Sequence, residues 1–332
     1  MERSLDSKLL TYYTGKQILI TGGTGYLANS LTALLKNINC TIIRMDLNPA
    51  GHLLQEVAAR IIDVQGDVGK EGTWVKILDQ IDIVFHFAAQ TSVYRANGNP
   101  VDDFNINVLP MLYCLETCRK KGIKPVILFS GTATEIGMPV HLPVDERHAD
   151  RPITVYDLHK LMSENYLKYY ISQDMVKGTI LRLANVYGPG PRSSSADRGV
   201  LNAMIRKALK GEEITVYGQG EYIRDYIYVS DVAAAFLLAG SHIHDVNGRH
   251  FVIGSGQGHT LSETFHLIAD RAALVTGRKV KVVSVEEPAT LSPIERRSFI
   301  ADSGTFTELT GWEAEYSLTE GIDATIKFIS NS

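Results

Sequence analysis

The 332-residue sequence predicts an α/β fold, a doubly wound parallel sheet with a smaller C-terminal α/β lobe. Three observations predict it. From Lys16 onward short β-branched runs alternate with longer helical patterns, which is how parallel βαβ units read. A glycine-rich turn joins the first strand of that series to its first helix. After Asn185 the alternation gives way to turn formers and short mixed elements.

Composition narrows the class. With 33 Lys+Arg against 37 Asp+Glu, a net charge of −4 and 45% hydrophobic residues, the chain reads as neither disordered nor a nucleic-acid scaffold. An acidic ligand must be met by a few placed groups. Cys40, Cys114 and Cys118 cannot make a disulfide framework and suit a reducing, cytoplasmic setting. Met1 to Gly15 carries Glu2, Arg3, Asp6 and Lys8, unlike a signal peptide. Apolar runs such as Val232 to Ala239 fall short of the ~20 residues that span a bilayer. No membrane partner is expected.

The elements follow in order. Gln17 to Ile20 reads as a buried strand, and Tyr26 to Asn37 as a helix with Leu27, Leu31, Leu34 and Leu35 at helical spacing. Further strands are expected at 41–45, 60–64, 81–85, 125–129 and 177–183, with helices near 70–80, 101–121, 156–173 and 199–210. Right-handed crossovers then produce the doubly wound sheet. A boundary near 185 assigns 1–185 to a dinucleotide-binding domain and 186–332 mainly to a substrate lobe, whose elements can interleave back into the sheet. The turn-rich segment Tyr187 to Ser195 reads as a surface loop or lid.

Thr21 to Ala28 has the context of a phosphate loop, between a strand and a helix. Gly22 and Gly25 let the backbone approach a pyrophosphate at the helix N-terminus, and Ala28 is small enough for close helix packing. The sheet is therefore expected to be of Rossmann type. Asp46, 21 residues past Gly25, stands where a carboxylate accepts from the adenosine ribose. Its charge opposes a 2′-phosphate and favours NAD over NADP, while neighbouring Arg44 argues the other way.

Tyr156 and Lys160 are four apart in a helical pattern and share a face. A phenol titrates near ~10, so it serves as a base at neutral pH only beside a positive charge. With the glycine loop, the pair joins a wider set: His86-Phe87-Ala88-Ala89-Gln90, Asn105-Ile106-Asn107-Val108, Ser130-Gly131-Thr132-Ala133-Thr134, Leu181 to Pro189 and Arg224-Asp225-Tyr226-Ile227-Tyr228-Val229. The chain resembles the extended short-chain dehydrogenase/reductase family, in its NAD-dependent epimerase/dehydratase group, over nearly its whole length.

That resemblance implies roles. Thr132 takes the place of the catalytic hydroxyl, Tyr156 of the acid/base and Lys160 of its activator. Asp67 and Val68 correspond to the adenine-contacting pair, and Ala88 and Ala89 to the backbone under the diphosphate. Tyr26, Leu27, Asn107 and Ser130 fall along the cofactor, and Thr91 and Ser92 along the substrate. Asn185 and Arg224 match positions that hold a substrate diphosphate, where a guanidinium pairs with phosphate oxygens in a fork. The plain alternative for Arg224 is a surface ion pair with Asp225. Glu295 is placed at a ribose and Phe299 at a gate that excludes N-acetylated sugars, with core packing the equal alternative.

The resemblance also bears on the reaction. Dehydrating members carry Asp-Glu after the catalytic threonine, and decarboxylating members a glutamate three residues before the closing glycine. Here the positions are Ala133 and Thr134, with Glu135 one residue late, and the Ala-Thr pair resembles the pattern of the group's 4-epimerases. The implied function is an NAD-dependent nucleotide-sugar epimerase, acting at C4 through a transient keto-sugar. A nucleotide-deoxysugar 4-ketoreductase is the alternative, followed by a 4,6-dehydratase or decarboxylase and by a non-catalytic NAD-binding protein. The resemblance further implies a homodimer formed through helices 101–121 and 156–173. No metal is expected, because Cys114 and Cys118 read as helix packing and His141, His148 and His159 lack ligand spacing. His159, beside Lys160, is expected to face solvent.

Overall fold

A computed structural model of the chain describes residues 7–49, 57–191 and 199–331. After helix α1 (Ser7–Tyr13) the chain runs β1 (Gln17–Thr21), α2 (Tyr26–Leu35), β2 (Thr41–Asp46), β3 (Arg60–Gln65), α3 (Glu71–Ile77) and β4 (Ile83–His86). Helices α4 (Val93–Gly98), α5 (Pro100–Asn107) and α6 (Leu109–Lys121) lead to β5 (Val126–Thr132), α7 (Val155–Ser172), β6 (Lys177–Leu183) and β7 (Asn185–Tyr187). Next come α8 (Val200–Lys210), β8 (Ile214–Tyr217), β9 (Ile223–Tyr228), α9 (Val229–Ser241), α10 (Ile243–Val246) and β10 (His250–Ile253). The chain closes with β11 (Gly258–Thr260), α11 (Leu261–Thr276), β12 (Val282–Val285), α12 (Gly304–Thr310) and α13 (Leu318–Ser330).

Seven parallel strands form the main sheet in the order β3-β2-β1-β4-β5-β6-β10, the Rossmann-type arrangement expected. Strands buried on both faces need continuous apolar runs, and Ile18, Leu19 and Ile20 of β1 are all fully buried. One core holds Ile18, Ile20, Leu31 and Phe236, and brings α2 and α9 onto one face. The other holds Leu19, Trp74, Leu115 and Leu167, and brings α3, α6 and α7 onto the opposite face. Cys114 and Cys118 lie buried in this second core, as helix packing predicts.

Strand order reverses between β1 and β4, which opens the crevice where α/β sheets bind ligands. The later chain divides its elements. Strand β10 and helix α9 return to the main sheet, while α8, α11, α13 and β8 gather around a separate core with Ile205, Phe265 and Ile322. A small sheet, β11-β9-β7, and a parallel pair, β12-β8, complete the structure.

One expected helix is two. The pattern over 101–121 breaks at Val108, because Pro110 has no N–H to continue the ladder and its ring crowds the preceding turn. The hydroxyl of Ser163 on α7 donates to the Asn107 carbonyl at this break. The expected lid begins at Tyr187, which ends β7, but residues 192–195 of it lie outside the described residues.

Candidate active site

The cofactor end is built from the loops that follow β1 and β4. Thr21 Oγ1 accepts from the N–H groups of Phe87 and Ala88 at 3.2 and 3.1 Å, and stands 2.8 Å from His86 Nδ1. Burial, and then the charge of Lys160, push His86 down to about 3, so its ring is neutral and Nδ1 accepts the Thr21 proton. Gly22 has φ +67°, and a Cβ on it would stand 3.0 Å from Ala88 N. Only glycine fits that approach. A Cβ on Gly25 would meet Gly22 O at 2.9 Å, so the turn forms a cradle that side chains would fill. Tyr26 and Leu27 open α2, where N–H groups lack acceptors within the helix and suit a pyrophosphate.

The residues expected at the adenosine are also held in place. Asp46 Oδ2 accepts from Thr24 N at 3.1 Å and Thr24 Oγ1 at 2.8 Å, and its own carbonyl accepts from Gly66 N. Asp67 Oδ1 accepts from Gly69 N at 2.9 Å, and Val68 O accepts from Trp74 Nε1 at 2.8 Å. Arg44 is withdrawn from this surface, since its guanidinium forks onto Asp63. Under the β4 loop, Asn107 Nδ2 donates to Gln90 O and Asp103 Oδ1, each at 2.9 Å, and Ser130 Oγ donates to His86 O at 3.3 Å.

The catalytic candidates meet where β5 ends and α7 begins. Thr132 closes β5 and caps the 3₁₀ turn Ala133–Ile136. Thr154 caps α7, which sets Tyr156 and Lys160 one turn apart on its inner face. Both are nearly buried. Lys160 Nζ lies 4.0 Å above the centre of the Phe129 ring. Burial lowers Lys160 to about 8, against the opposing pull of Glu135, Asp103 and Glu164. Tyr156 packs with Val93, Ala96 and Ile294, so a segment from beyond β12 closes over the catalytic helix.

His159 does not face solvent. It is buried, with Nδ1 2.7 Å from Asp103 Oδ2, and the edge of Phe104 packs on its ring. A partner 56 residues earlier turns a residue expected outside into one held inside.

Among the residues expected at the substrate, Arg224 is buried, which rules out the surface pair with Asp225. Its guanidinium donates to the carbonyls of Ile223, Glu295 and Arg297, while Asp225 accepts from Ser255, Gly256 and Ala301. Burial pushes Arg224 below its usual value, with Glu295, 3.9 Å away, working to restore its charge. Asn185 Oδ1 accepts from Arg297 Nη2 at 3.2 Å. Among the expected residues, Thr91 is exposed, Ser92 caps α4 by accepting from Arg95 N, and Phe299 is 2% exposed within the core beside the β1 face.

Some residues here escaped sequence reasoning. Arg297 is one, and the only signal was the Arg296-Arg297 pair in a segment read for Glu295. Glu135 is another. Fully buried, it accepts from Thr132 N at 2.9 Å and lies 3.0 Å from Arg182 Nε, and Arg182 also grips Glu164 and Asp150. Burial, and then the Glu164 charge, hold Glu135 well above the usual carboxylate range. Thr134 and Asp157 are hydrogen-bonded beneath Thr132.

A glycine cradle at the switch point of a parallel sheet, together with a buried tyrosine and lysine one turn apart on the helix after β5, belongs to the dinucleotide-dependent α/β enzymes. Residues 18–254 match the model of the NAD dependent epimerase/dehydratase family. The chain belongs to that family. It is 29% identical over 316 residues to a putative UDP-glucose 4-epimerase of Methanocaldococcus jannaschii, covering 95% of this chain and 99% of that protein. It is 28% identical to the UDP-glucose 4-epimerase of Azospirillum brasilense, covering 92% and 89% respectively. The UDP-glucose 4-epimerase of Thermotoga maritima, solved with UDP-glucose, superposes with a TM-score of 0.83 at 30% identity, covering 95% of this chain and 98% of that one. The Thermus thermophilus UDP-glucose 4-epimerase, solved with NAD, gives 0.80 at 27% identity, covering 95% and 99%.

Proposed function

We propose that the protein is an NAD-dependent nucleotide-sugar epimerase acting at C4. The observation that carries this reading is the loop after Thr132. Its one carboxylate, Glu135, turns inward to the Thr132 N–H and Arg182, so the loop offers the sugar no extra acid or base for dehydration or decarboxylation. The named epimerase relatives, matched over nearly their whole length, support it.

In this reading Gly22, Gly25, Tyr26 and Leu27 hold the NAD diphosphate, Asp46 the adenosine ribose, and Asp67 and Val68 the adenine. Ala88, Ala89, Asn107 and Ser130 line the rest of the cofactor's path. Bound NAD supplies the acceptor and donor of hydride. Tyr156 removes and returns the proton of the sugar hydroxyl, Lys160 one helical turn on stabilises its phenolate, and Thr132 holds the hydroxyl. Arg224 and Asn185 take the substrate diphosphate and Glu295 its ribose, with Thr91 and Ser92 at the sugar. Residues 1–185 carry mainly the cofactor and catalytic groups, and residues 186–332 mainly the nucleotide-sugar contacts.

Two further features belong to the proposal. Val101 on α5, and Leu158 and Tyr169 on α7, are exposed apolar residues on packed helices and support a homodimer formed there. The free, buried cysteines support a cytoplasmic setting. The test is direct. Purified protein should carry NAD and interconvert UDP-glucose and UDP-galactose with no cofactor added. A requirement for stoichiometric reduced cofactor would make it a ketoreductase instead.

A further inference from the structure

The Lys160 ammonium has to be balanced inside the protein. It is buried over the Phe129 ring, and a buried cation is costly unless negative charge stands near it. The groups that bear on it come from several elements. His86 on β4 is neutral, Tyr156 lies one turn back on α7, and the carboxylates are Glu135 after β5, Glu164 on α7 and Asp103 on α5.

Two of these carboxylates are committed to other cations. Glu164 grips Arg182 at 2.7 Å and Lys168 at 2.5 Å, and Glu135 lies 3.0 Å from the same arginine. Burial, and then the Glu164 charge, hold Glu135 toward its neutral acid. Asp103 is held differently. It is 1% exposed, its Oδ1 accepts from Gln90 Nε2 at 2.7 Å and Asn107 Nδ2 at 2.9 Å, and its Oδ2 accepts from His159 Nδ1 at 2.7 Å. Among the described residues its one ion-pair partner is His159. These bonds tie the loop after β4 and helix α5 to α7, at the residue that immediately precedes Lys160. Gln90 carries the tie onward, since its side-chain amide also donates to Ser92 O at 2.9 Å and accepts from Ser92 N.

Building on the epimerase reading above, we propose that Asp103 is a positioning residue of the reaction, which supplies negative charge to balance Lys160 and holds the loop after β4 against α7. It acts on the sugar only through Lys160, and so through the Tyr156 phenolate. Glu135 and Glu164 favour the ammonium as well, so loss of Asp103 weakens the balance without abolishing it. An ammonium with one carboxylate fewer gives up its proton at lower pH.

Asp103→Asn tests this, because it removes the charge and keeps the size. The amide oxygen can still accept from Gln90 and Asn107, and His159 can meet the new NH2 group by carrying its own proton on Nε2. With cofactor content and unfolding temperature matched, the alkaline limb of kcat for UDP-glucose should move to lower pH by about half a unit or more. The rate deficit should then be about twofold or more near pH ~8.5 and should close toward pH ~6.5, with KM within about twofold throughout. In Lys160→Arg, whose cation stays charged, adding Asp103→Asn should leave the pH profile in place. If Asp103→Asn does not fold, Asp103→Ser, also neutral, is read in the same way. A limb that stays at its wild-type pH, or a loss of equal size at every pH, would overturn the role of Asp103 and leave the epimerase reading standing. A wild-type protein that does not interconvert UDP-glucose and UDP-galactose would overturn that reading, and the role of Asp103 with it.

Discussion

The Arg44 guanidinium forks onto Asp63, with Nε to Oδ1 and Nη2 to Oδ2 both at 2.7 Å. Arg44 is 2% exposed, so this cation, two residues before Asp46, is spent within the sheet.

Cofactor choice follows from that pair. With Asp46 at the adenosine ribose, as proposed, and Arg44 committed to Asp63, the wild type should prefer NAD over NADP strongly. Asp46→Ser combined with Asp63→Ser frees Arg44 and removes the repulsion, and should narrow the preference by at least about tenfold, ~1.4 kcal/mol. Equilibrium titration with each dinucleotide measures it, and an unchanged ratio would refute the assignment of Asp46.

Lys160 sets an expectation for alkaline pH. Its buried ammonium is held to about 8, so it is mainly charged at neutral pH and loses its proton as pH rises through that value. In the proposed mechanism the Tyr156 phenolate then loses its stabilising neighbour, and kcat should decline above about pH 8. An arginine stays charged throughout this range. Lys160→Arg should therefore flatten the alkaline limb even if its overall rate is lower. A limb that stays in place in that variant would point to another group.

Acid stability should depend on two histidines. Burial is the first cause for both, holding His86 at about 3 and His250 at about 4. In the unfolded chain each titrates near ~6.5, so below that pH the unfolded chain binds protons that the folded one refuses. Stability is thus complete above about pH 6.5 and is lost as pH falls toward 4, by about 3 kcal/mol for His250 alone. Denaturant unfolding at a series of pH values reads this slope, and His250→Gln should reduce it. A level profile from pH 7 to pH 5 would contradict the account.

What could be read from sequence was local. The glycine cradle is carried by a strand, turn and helix within twelve residues, and Tyr156 and Lys160 by a single helical turn. The strands of the main sheet announce themselves because burial on both faces demands unbroken apolar runs. What escaped depends on meetings between distant elements. His159 is turned inward by Asp103, Asn185 is held by Arg297, 112 residues later, and Glu135 is committed to Arg182 on the next strand. The helix break at Val108 was missed for another reason, since proline near the start of a helix is tolerated and does not by itself interrupt an amphipathic pattern.

The central claim is that one sugar carbon gives up a hydride and takes the same hydride back. UDP-glucose bearing deuterium at C4 tests it most directly, incubated with the purified protein and no added cofactor. The account predicts UDP-galactose that keeps its deuterium at C4 in ordinary water, with no reduced cofactor accumulating. Product that has lost the label, or turnover that stops once the bound cofactor is reduced, would contradict it.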